Sequence, residues 1–123
     1  MGKSAIVCVI DDDQMVRETI CNALRAAGFS TVEAEDGISG LAVIERSRAS
    51  VAVIDIIMPT REGLDVIVDA TRKFPDLKVL AVTGGGHVGP TDYLELAMQL
   101  GAHDALAKPF RNAELVKRVM RLA

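Results

Sequence analysis

Apolar residues occur along the chain in two alternating patterns. Short runs rich in valine and isoleucine occupy residues 5–10, 51–54 and 78–82, and weaker runs occupy residues 30–34 and 104–107. Runs of strand length without polar alternation are typical of strands that are buried on both faces. The last run is short and poor in β-branched residues, and we assign it to a strand mainly because it follows a helical pattern.

Between these runs, apolar side chains recur at helical spacing. Val16, Ile20, Leu24 and Ala27 share one helix face, and Gly28 predicts the end of that helix. Strands that alternate with helices predict a parallel α/β sheet with right-handed crossovers and helices on both faces. The four later helical stripes are Ile38, Leu41 and Ile44; Leu64, Ile67, Val68, Thr71 and Phe74; Leu94, Ala97 and Met98; and Val116, Val119, Met120 and Ala123.

Composition narrows the class of protein. The 123 residues fit one domain, and half of them are hydrophobic, as in ordinary globular proteins. A net charge of −3 argues against a dedicated nucleic-acid binder, and no apolar run approaches the roughly 20 residues of a membrane span. Cys8 and Cys21 lack disulfide or metal-ligand spacing, which favours two buried thiols in a reduced, cytoplasmic compartment.

Chemically active side chains follow four of the predicted strands. In an open parallel sheet, ligands bind beyond the carboxyl ends of the strands. Three aspartates, residues 11–13, follow the first strand, and Asp55 follows the third. Thr83 and Gly84 follow the fourth strand, and Lys108 follows the fifth. We therefore expect carboxylates, a hydroxyl and an ammonium group at one edge of the sheet.

These residue types suit phosphoryl chemistry. Crowded carboxylates repel one another, and a cation relieves the repulsion. Hard oxygen ligands in small number favour Mg²⁺, which usually binds together with a phosphate. The hydroxyl, the ammonium group and the backbone N–H of Gly84 could hold phosphoryl oxygens, since glycine has no side chain to block a close approach. A carboxylate can act as the nucleophile in aspartyl-phosphate chemistry.

Over residues 6–122 the chain resembles a known family, the receiver domains of two-component response regulators. The resemblance rests on Asp11-Asp12, on Asp55 in the segment Asp-Ile-Ile-Met-Pro, on Thr83-Gly, and on Lys108-Pro-Phe. It implies a flavodoxin-like doubly wound (βα)5 fold with five parallel strands in the order 2-1-3-4-5. We expect one receiver domain over residues 1–123 without an output domain, or alternatively the receiver fragment of a larger regulator or hybrid kinase.

The resemblance also implies roles for individual residues. Asp55 is the expected phosphoacceptor, and Lys108 and Thr83 are expected to contact the transferred phosphoryl group, with the Lys108–Pro109 bond often cis. The expected Mg²⁺ ligands are Asp11, Asp12, Asp55 and the backbone carbonyl of Ile57, and the expected phosphoryl-binding groups are Thr83, Gly84 and Lys108. Such a domain catalyses its own phosphorylation and dephosphorylation but is primarily a signalling switch.

The expected partners follow from the same resemblance. A sensor histidine kinase or a histidine phosphotransfer protein would donate the phosphoryl group. A face formed by the first helix and the loop after the fifth strand would dock this donor. A downstream protein would read the phosphorylated state or accept the phosphoryl group. We expect a cytoplasmic monomer or weak dimer that binds neither nucleic acid nor membrane.

Three positions depart from the family pattern or extend it. Asp13 follows the expected acid pair, and we interpret it as a cap for the first helix in preference to a metal ligand. Ala105 stands where relatives usually have an aromatic residue that relays the signal, so the usual relay is in doubt. The glycine-rich residues 84–90 fit either a switch loop that orders on phosphorylation or a flexible connection.

Two other functions compete with a phosphorylated receiver. One is a receiver-like interaction module without phosphorylation, which Ala105 and the glycine-rich loop motivate and the intact site residues oppose. The other is a Mg²⁺ phosphohydrolase of the haloacid-dehalogenase type, because Asp11 and Asp13 have the spacing that such enzymes use. Met15 breaks that second pattern. The phosphorylated residue separates a receiver (Asp55) from a hydrolase (Asp11).

Overall fold

Five strands and five helices alternate in a computed structural model that describes residues 5–56, 63–83 and 90–123. The strands agree with the predicted runs to within a residue. Two site residues that we placed after strands, Asp55 and Thr83, are instead the last residues of their strands. The elements are β1 (Ile6–Ile10), α1 (Gln14–Ala26), β2 (Ser30–Ala34), α2 (Gly37–Ser47), β3 (Val51–Asp55), α3 (Gly63–Lys73), β4 (Lys78–Thr83), α4 (Pro90–Leu100), β5 (Asp104–Ala107) and α5 (Asn112–Leu122).

The strands form one parallel sheet in the order β2-β1-β3-β4-β5, which confirms the doubly wound flavodoxin-like fold. The three central strands, β1, β3 and β4, are almost wholly buried, because helices cover both faces of the sheet. The order reverses between β1 and β3, whose Ile10 and Ile54 are register partners. The residues that follow these two strands therefore meet at one edge.

Two apolar layers hold the helices on the sheet. One contains Cys8 and Ile10 with side chains of α2, α3 and α4, and the other contains Val7 and Cys21 with side chains of α1 and α5. Both cysteines are buried free thiols, as predicted, and they lie in different layers. Burial raises the pKa of Cys8 to about 12 and that of Cys21 to about 11, so both thiols are protonated near neutral pH.

The helical stripes were predicted less accurately than the strands. Ile38, assigned to the apolar stripe of α2, is 73% exposed, and the helix turns Gly40 towards the sheet instead. A Cβ at Gly40 would lie 2.5 Å from Cδ1 of Ile10, so a larger residue here would force the end of the Ile10 side chain to move. Met120 is 59% exposed, and Leu115 takes the buried place on α5. Within the described residues, no helix has both the length and the apolarity to span a membrane.

Directly before β5, His103 makes two hydrogen bonds to β4 that continue the pairing of these strands. His103 is exposed, and its Nδ1 accepts the N–H of Val79 at 3.0 Å. The N–H of His103 donates in turn to the carbonyl of Val79 at 2.8 Å. Partial burial, followed by the nearby charge of Lys78, lowers the pKa of His103. An Nδ1 that accepts a hydrogen bond must be unprotonated, which favours the same neutral form.

Candidate functional site

Three carboxylates meet at the carboxyl edge of the sheet. Asp11, Asp12 and Asp55 each offer an oxygen, and these oxygens lie within 4.8 Å of one another. Asp11 is 2% exposed and Asp55 is 7% exposed, whereas Asp12 is exposed to solvent. The pairing of β1 with β3 produces this cluster, since it carries both chains to the same edge. The sequence predicted this grouping.

Hydrogen bonds hold the backbone N–H, the carbonyl and the side chain of Asp11. Its backbone N–H donates to the carbonyl of Ala34 at 3.2 Å, which continues the pairing of β1 with β2. Its Oδ1 accepts the N–H of Asp13 at 2.9 Å, and its carbonyl accepts Nη1 of Arg17 at 2.7 Å. The acid therefore has a set orientation although it follows a strand rather than lying within one.

Asp13 caps α1, as predicted. Its Oδ1 accepts the backbone N–H groups of Met15 at 2.9 Å and Val16 at 3.3 Å. A carboxylate in this position satisfies N–H groups that have no partner within the helix and interacts favourably with the helix dipole. The carboxylate of Asp13 is therefore used by the helix cap. The three-carboxylate cluster consists of Asp11, Asp12 and Asp55 and does not include Asp13.

Lys108 brings a positive charge to the carboxylates. Its Nζ lies 3.2 Å from Oδ2 of Asp11 and 3.7 Å from Oδ2 of Asp55. The side chain is 22% exposed, so water screens these contacts incompletely. The Lys108–Pro109 bond is cis, which is the form that the resemblance implied. The N–H of Lys108 donates to the carbonyl of Thr83 at 2.7 Å and ties the loop after β5 to the end of β4.

Thr83 brings a hydroxyl to the same edge. Its side chain is fully buried, and among the described residues its Oγ1 has no hydrogen-bond partner. A buried hydroxyl without a partner is unfavourable for folding by about 1–3 kcal/mol. Such a group in a native site calls for an explanation, and a ligand that accepts a hydrogen bond from the hydroxyl is one.

Gly63 supports the end of β3, a contact that the sequence analysis did not anticipate. Its N–H donates to the carbonyl of Ile56 at 2.6 Å. A Cβ at this position would collide with the carbonyl oxygen of Asp55 and with Cα of Ile56. The start of α3 can therefore lie against the backbone of the expected phosphoacceptor because residue 63 has no side chain. The available signal was a glycine directly before the apolar stripe that begins at Leu64.

Arg17 is a second residue that the sequence analysis did not assign to the site. Its side chain is 14% exposed and bonds both the carbonyl of Asp11 and the carboxylate of Glu33. A polar residue between the apolar positions of an amphipathic helix gave no sign of this role. The contact of Arg17 with Glu33 depends on how α1 packs against β2, which the sequence pattern does not give.

Two predicted site residues, Ile57 and Gly84, lie outside the described residues, as does most of the glycine-rich loop. Ala105 is described. It is the register partner of Ala81 and packs into the layer that contains Ala97 and Ala102. The expected relay position thus pairs with a small residue on the neighbouring strand.

The donor set fits Mg²⁺. Carboxylates are hard oxygen ligands, and three of them with oxygens within 4.8 Å can share one small divalent cation. Two of the three are buried, where unneutralised negative charge is most costly. Lys108 contacts two of these acids, and a divalent cation would offset the mutual repulsion of the three carboxylates.

The sequence is similar to one known family along almost its whole length. A family model described as response regulator receiver domain matches residues 7–120. Response regulator MprA of Mycobacterium sp. (strain KMS) is 34% identical over 116 residues, which are 94% of this chain and 49% of that protein. Probable transcriptional regulatory protein TcrX of Mycobacterium tuberculosis is 34% identical over 121 residues, 98% of this chain and 50% of that protein. The chain spans about half the length of these curated relatives.

Solved structures show the same architecture. Chemotaxis protein CheY4 of Vibrio cholerae is 25% identical with a TM-score of 0.87, and the match covers 98% of this chain and all of that one. The receiver domain of Francisella response regulator 1452 is 28% identical with a TM-score of 0.86, covering 97% and 96% of the two chains. Given this match, the strand order and the acidic edge of the sheet, the chain belongs to the response regulator receiver domains of two-component systems.

Proposed function

We propose that this receiver accepts a phosphoryl group on Asp55 from a phosphohistidine donor in a Mg²⁺-dependent reaction. The observation that supports this most strongly is the joint placement of Asp11, Asp12, Asp55 and Lys108 at one edge of the sheet. Asp55 is the acid of this group that ends the central strand β3. β3 is the middle strand of the sheet and is buried along its whole length.

The chain's own residues have distinct tasks in the transfer. A carboxylate oxygen of Asp55 attacks phosphorus, the bond from phosphorus to the donor nitrogen breaks, and the imidazole of the donor leaves. The product is an acyl phosphate on Asp55. The ammonium group of Lys108, 3.7 Å from Oδ2 of Asp55, offsets the negative charge of the transferred group. The hydroxyl of Thr83 donates a hydrogen bond to a phosphoryl oxygen and thereby gains the partner that it lacks among the described residues.

Asp11, Asp12 and Asp55 would hold the cation through their carboxylates. A Mg²⁺ ion held there would offset negative charge on the phosphoryl oxygens, which would favour attack by an anionic carboxylate. The family resemblance adds the carbonyl of Ile57 as a ligand and the N–H of Gly84 as a phosphoryl-binding group. These two assignments rest on the family alone.

The partners are proposed on the same basis. The donor is a sensor histidine kinase or a histidine phosphotransfer protein, and a downstream protein reads the phosphorylated state or accepts the phosphoryl group. An apolar groove between α1 and the segment around Phe110, beside Lys108, is the expected docking face for the donor. Met15, 78% exposed on that groove, offers it an apolar contact. The expected setting is the cytoplasm, and the expected state a monomer or weak dimer.

Intact-mass spectrometry after incubation with acetyl phosphate and Mg²⁺ tests the proposal. Wild type should gain one phosphoryl group, and EDTA should prevent the gain. Asp55→Asn should gain none, because an amide cannot form the acyl phosphate. Asp65→Asn is the matched control, since Asp65 is an exposed acid on α3 outside the cluster, and it should behave as wild type.

Peptide mapping after borohydride reduction of the acyl phosphate identifies the modified residue. Trypsin places Asp55 in the peptide of residues 49–61 and Asp11 in the peptide of residues 4–17. Modification of the first peptide supports a receiver, and modification of the second indicates a hydrolase-type nucleophile. No adduct from acetyl phosphate or from phosphohistidine donors, with Mg²⁺ binding intact, would instead indicate an interaction module.

A further inference from the structure

The side chain of Arg17 joins three elements beside the acidic cluster. It extends from α1, and its Nη1 donates to the carbonyl of Asp11 at 2.7 Å. Its Nε donates to Oε1 of Glu33, on β2, at 2.9 Å. The guanidinium group is largely buried, with 14% of the side chain exposed. Two nitrogens of one rigid planar group thus hold two oxygens at once.

The bond to the carbonyl of Asp11 acts on Asp12. That carbonyl and the N–H of Asp12 belong to the same planar peptide group, so fixing the oxygen fixes the plane. The N–H of Asp11 is held by Ala34, and the N–H of Asp13 is held by Oδ1 of Asp11. Asp12 is the exposed member of the cluster, and the peptide planes on both sides of it are set by these bonds.

Charge would make an arginine an unfavourable neighbour for a cation site. An unpaired guanidinium so close to the carboxylates would repel a divalent cation. Glu33 lies 2.9 Å from Nε of Arg17 and offsets that charge. The pair therefore supplies a rigid hydrogen-bond donor to Asp11 while adding no net charge.

We propose that Arg17 is a positioning residue for the divalent-cation site and that Glu33 keeps its charge from opposing the cation. This inference rests on the proposed function, since it assigns a role within the same site. Arg17 does not touch the cation. It acts through the peptide group between Asp11 and Asp12, which sets the direction of the Asp12 carboxylate.

Replacement of Arg17 separates positioning from simple electrostatics, because the two effects have opposite signs. Loss of a positive charge alone would tighten the binding of Mg²⁺. Loss of the bond to Asp11 would weaken it, and removal of a group that orients a metal ligand typically lowers affinity about 10–100-fold. Arg17→Met removes both the charge and the bond while it keeps most of the volume. We expect Mg²⁺ affinity to fall by about tenfold.

Isothermal titration with Mg²⁺, repeated with Mn²⁺, measures this affinity without any phosphorylation. Arg25→Met is the matched control, because Arg25 lies on the same helix and bonds Thr31 of β2 but makes no contact with the acids. It should bind within about twofold of wild type, as removal of a distant, screened charge predicts. Glu33→Gln keeps the donor and leaves its charge uncompensated, so it should weaken binding at low salt and less at high salt.

Urea unfolding in EDTA, followed by circular dichroism, shows whether each variant is folded. An arginine that only stabilised the fold would lower the unfolding midpoint and leave the dissociation constant of the folded protein unchanged. If Arg17→Met does not fold, Arg17→Lys decides, since a compact ammonium group cannot reproduce the two-nitrogen fork. Binding at least threefold weaker than wild type supports the inference, and equal or tighter binding overturns it.

The same titration separates the two proposals. Wild type that binds no divalent cation would refute the Mg²⁺-dependent function itself. Wild type that binds Mg²⁺, with Arg17→Met binding as tightly or more tightly, would refute the role of Arg17 and leave the proposed function standing.

Discussion

The ion pairs of Lys108 with two buried acids predict how much this side chain stabilises the fold. Its Nζ lies 3.2 Å from Asp11 and 3.7 Å from Asp55. At an effective dielectric constant of about 20, these separations correspond to attractions of about 5 and about 4 kcal/mol. Removal of one partner of a buried ion pair typically destabilises by 3–5 kcal/mol, because an uncompensated buried charge remains. The side chain is 22% exposed and regains some hydration, so we take the lower end.

Lys108→Met should therefore lower the free energy of unfolding in EDTA by about 3 kcal/mol. Because a divalent cation can replace the lost charge, saturating Mg²⁺ should restore more stability to the variant than to wild type. A ligand at one hundred times its dissociation constant adds about 2.7 kcal/mol. Urea titrations followed by circular dichroism, with and without Mg²⁺, measure both quantities. The slope of the free energy against urea concentration should stay constant.

Glu45 provides the comparison. It forms an ion pair with Lys73 at 3.1 Å, almost the distance found at Lys108, but the two side chains are 62% and 55% exposed. Glu45→Gln should cost less than about 1 kcal/mol, because water screens exposed pairs. If Lys108→Met were as stable in EDTA as wild type, or if both variants lost the same amount, burial would not be what makes the Lys108 contacts strong.

Three further predictions concern the site and its supports. Thr83→Val should raise the free energy of unfolding by about 1 kcal/mol by removing a buried hydroxyl without a partner among the described residues. Thr71→Val, which removes a hydroxyl that donates within α3, should bring no gain, and equal effects of the two would contradict the argument. Gly63→Ala should destabilise by about 3 kcal/mol and reduce phosphorylation, because its Cβ collides with backbone. Gly28→Ala, with φ +100° but no atom within 4 Å, should cost about 1 kcal/mol in the same urea assay. The pKa of His103 is lowered in the fold, so the unfolded chain binds the proton more tightly and stability should fall as pH drops below about 6.5. His103→Gln should lack this component, and a wild-type-minus-variant difference that stays constant from pH 8 to 5 would refute it.

The sheet could be predicted because its signals are local. Runs of valine and isoleucine mark the buried strands, and their alternation with helical stripes leaves few topologies open. The acids after β1 and at the end of β3 could be placed together for the same reason, since parallel strands bring their carboxyl ends to one edge. The cap formed by Asp13 was also predictable, because it depends on residues two and three positions away.

The supporting contacts could not be predicted because they depend on how elements pack. Arg17 reaches Glu33, 16 residues away, across a helix-to-strand contact that no spacing rule contains. Gly40 and Gly63 read as ordinary glycines until Ile10 and the backbone of Asp55 are placed against them. Ile38 looked like a core residue because a stripe of three positions does not say how a helix is rotated on the sheet.

The alanines beneath α4 limit how a signal can travel from the site to this helix. Ala81 and Ala105 are register partners on β4 and β5, and Ala97 and Ala102 complete the same layer. Alanine has no side-chain torsion, so none of these four residues can switch between rotamers. A displacement at Thr83, two residues along β4 from Ala81, therefore cannot pass through these four positions as a change of rotamer. Any movement transmitted through these four positions is a movement of the backbone that carries them.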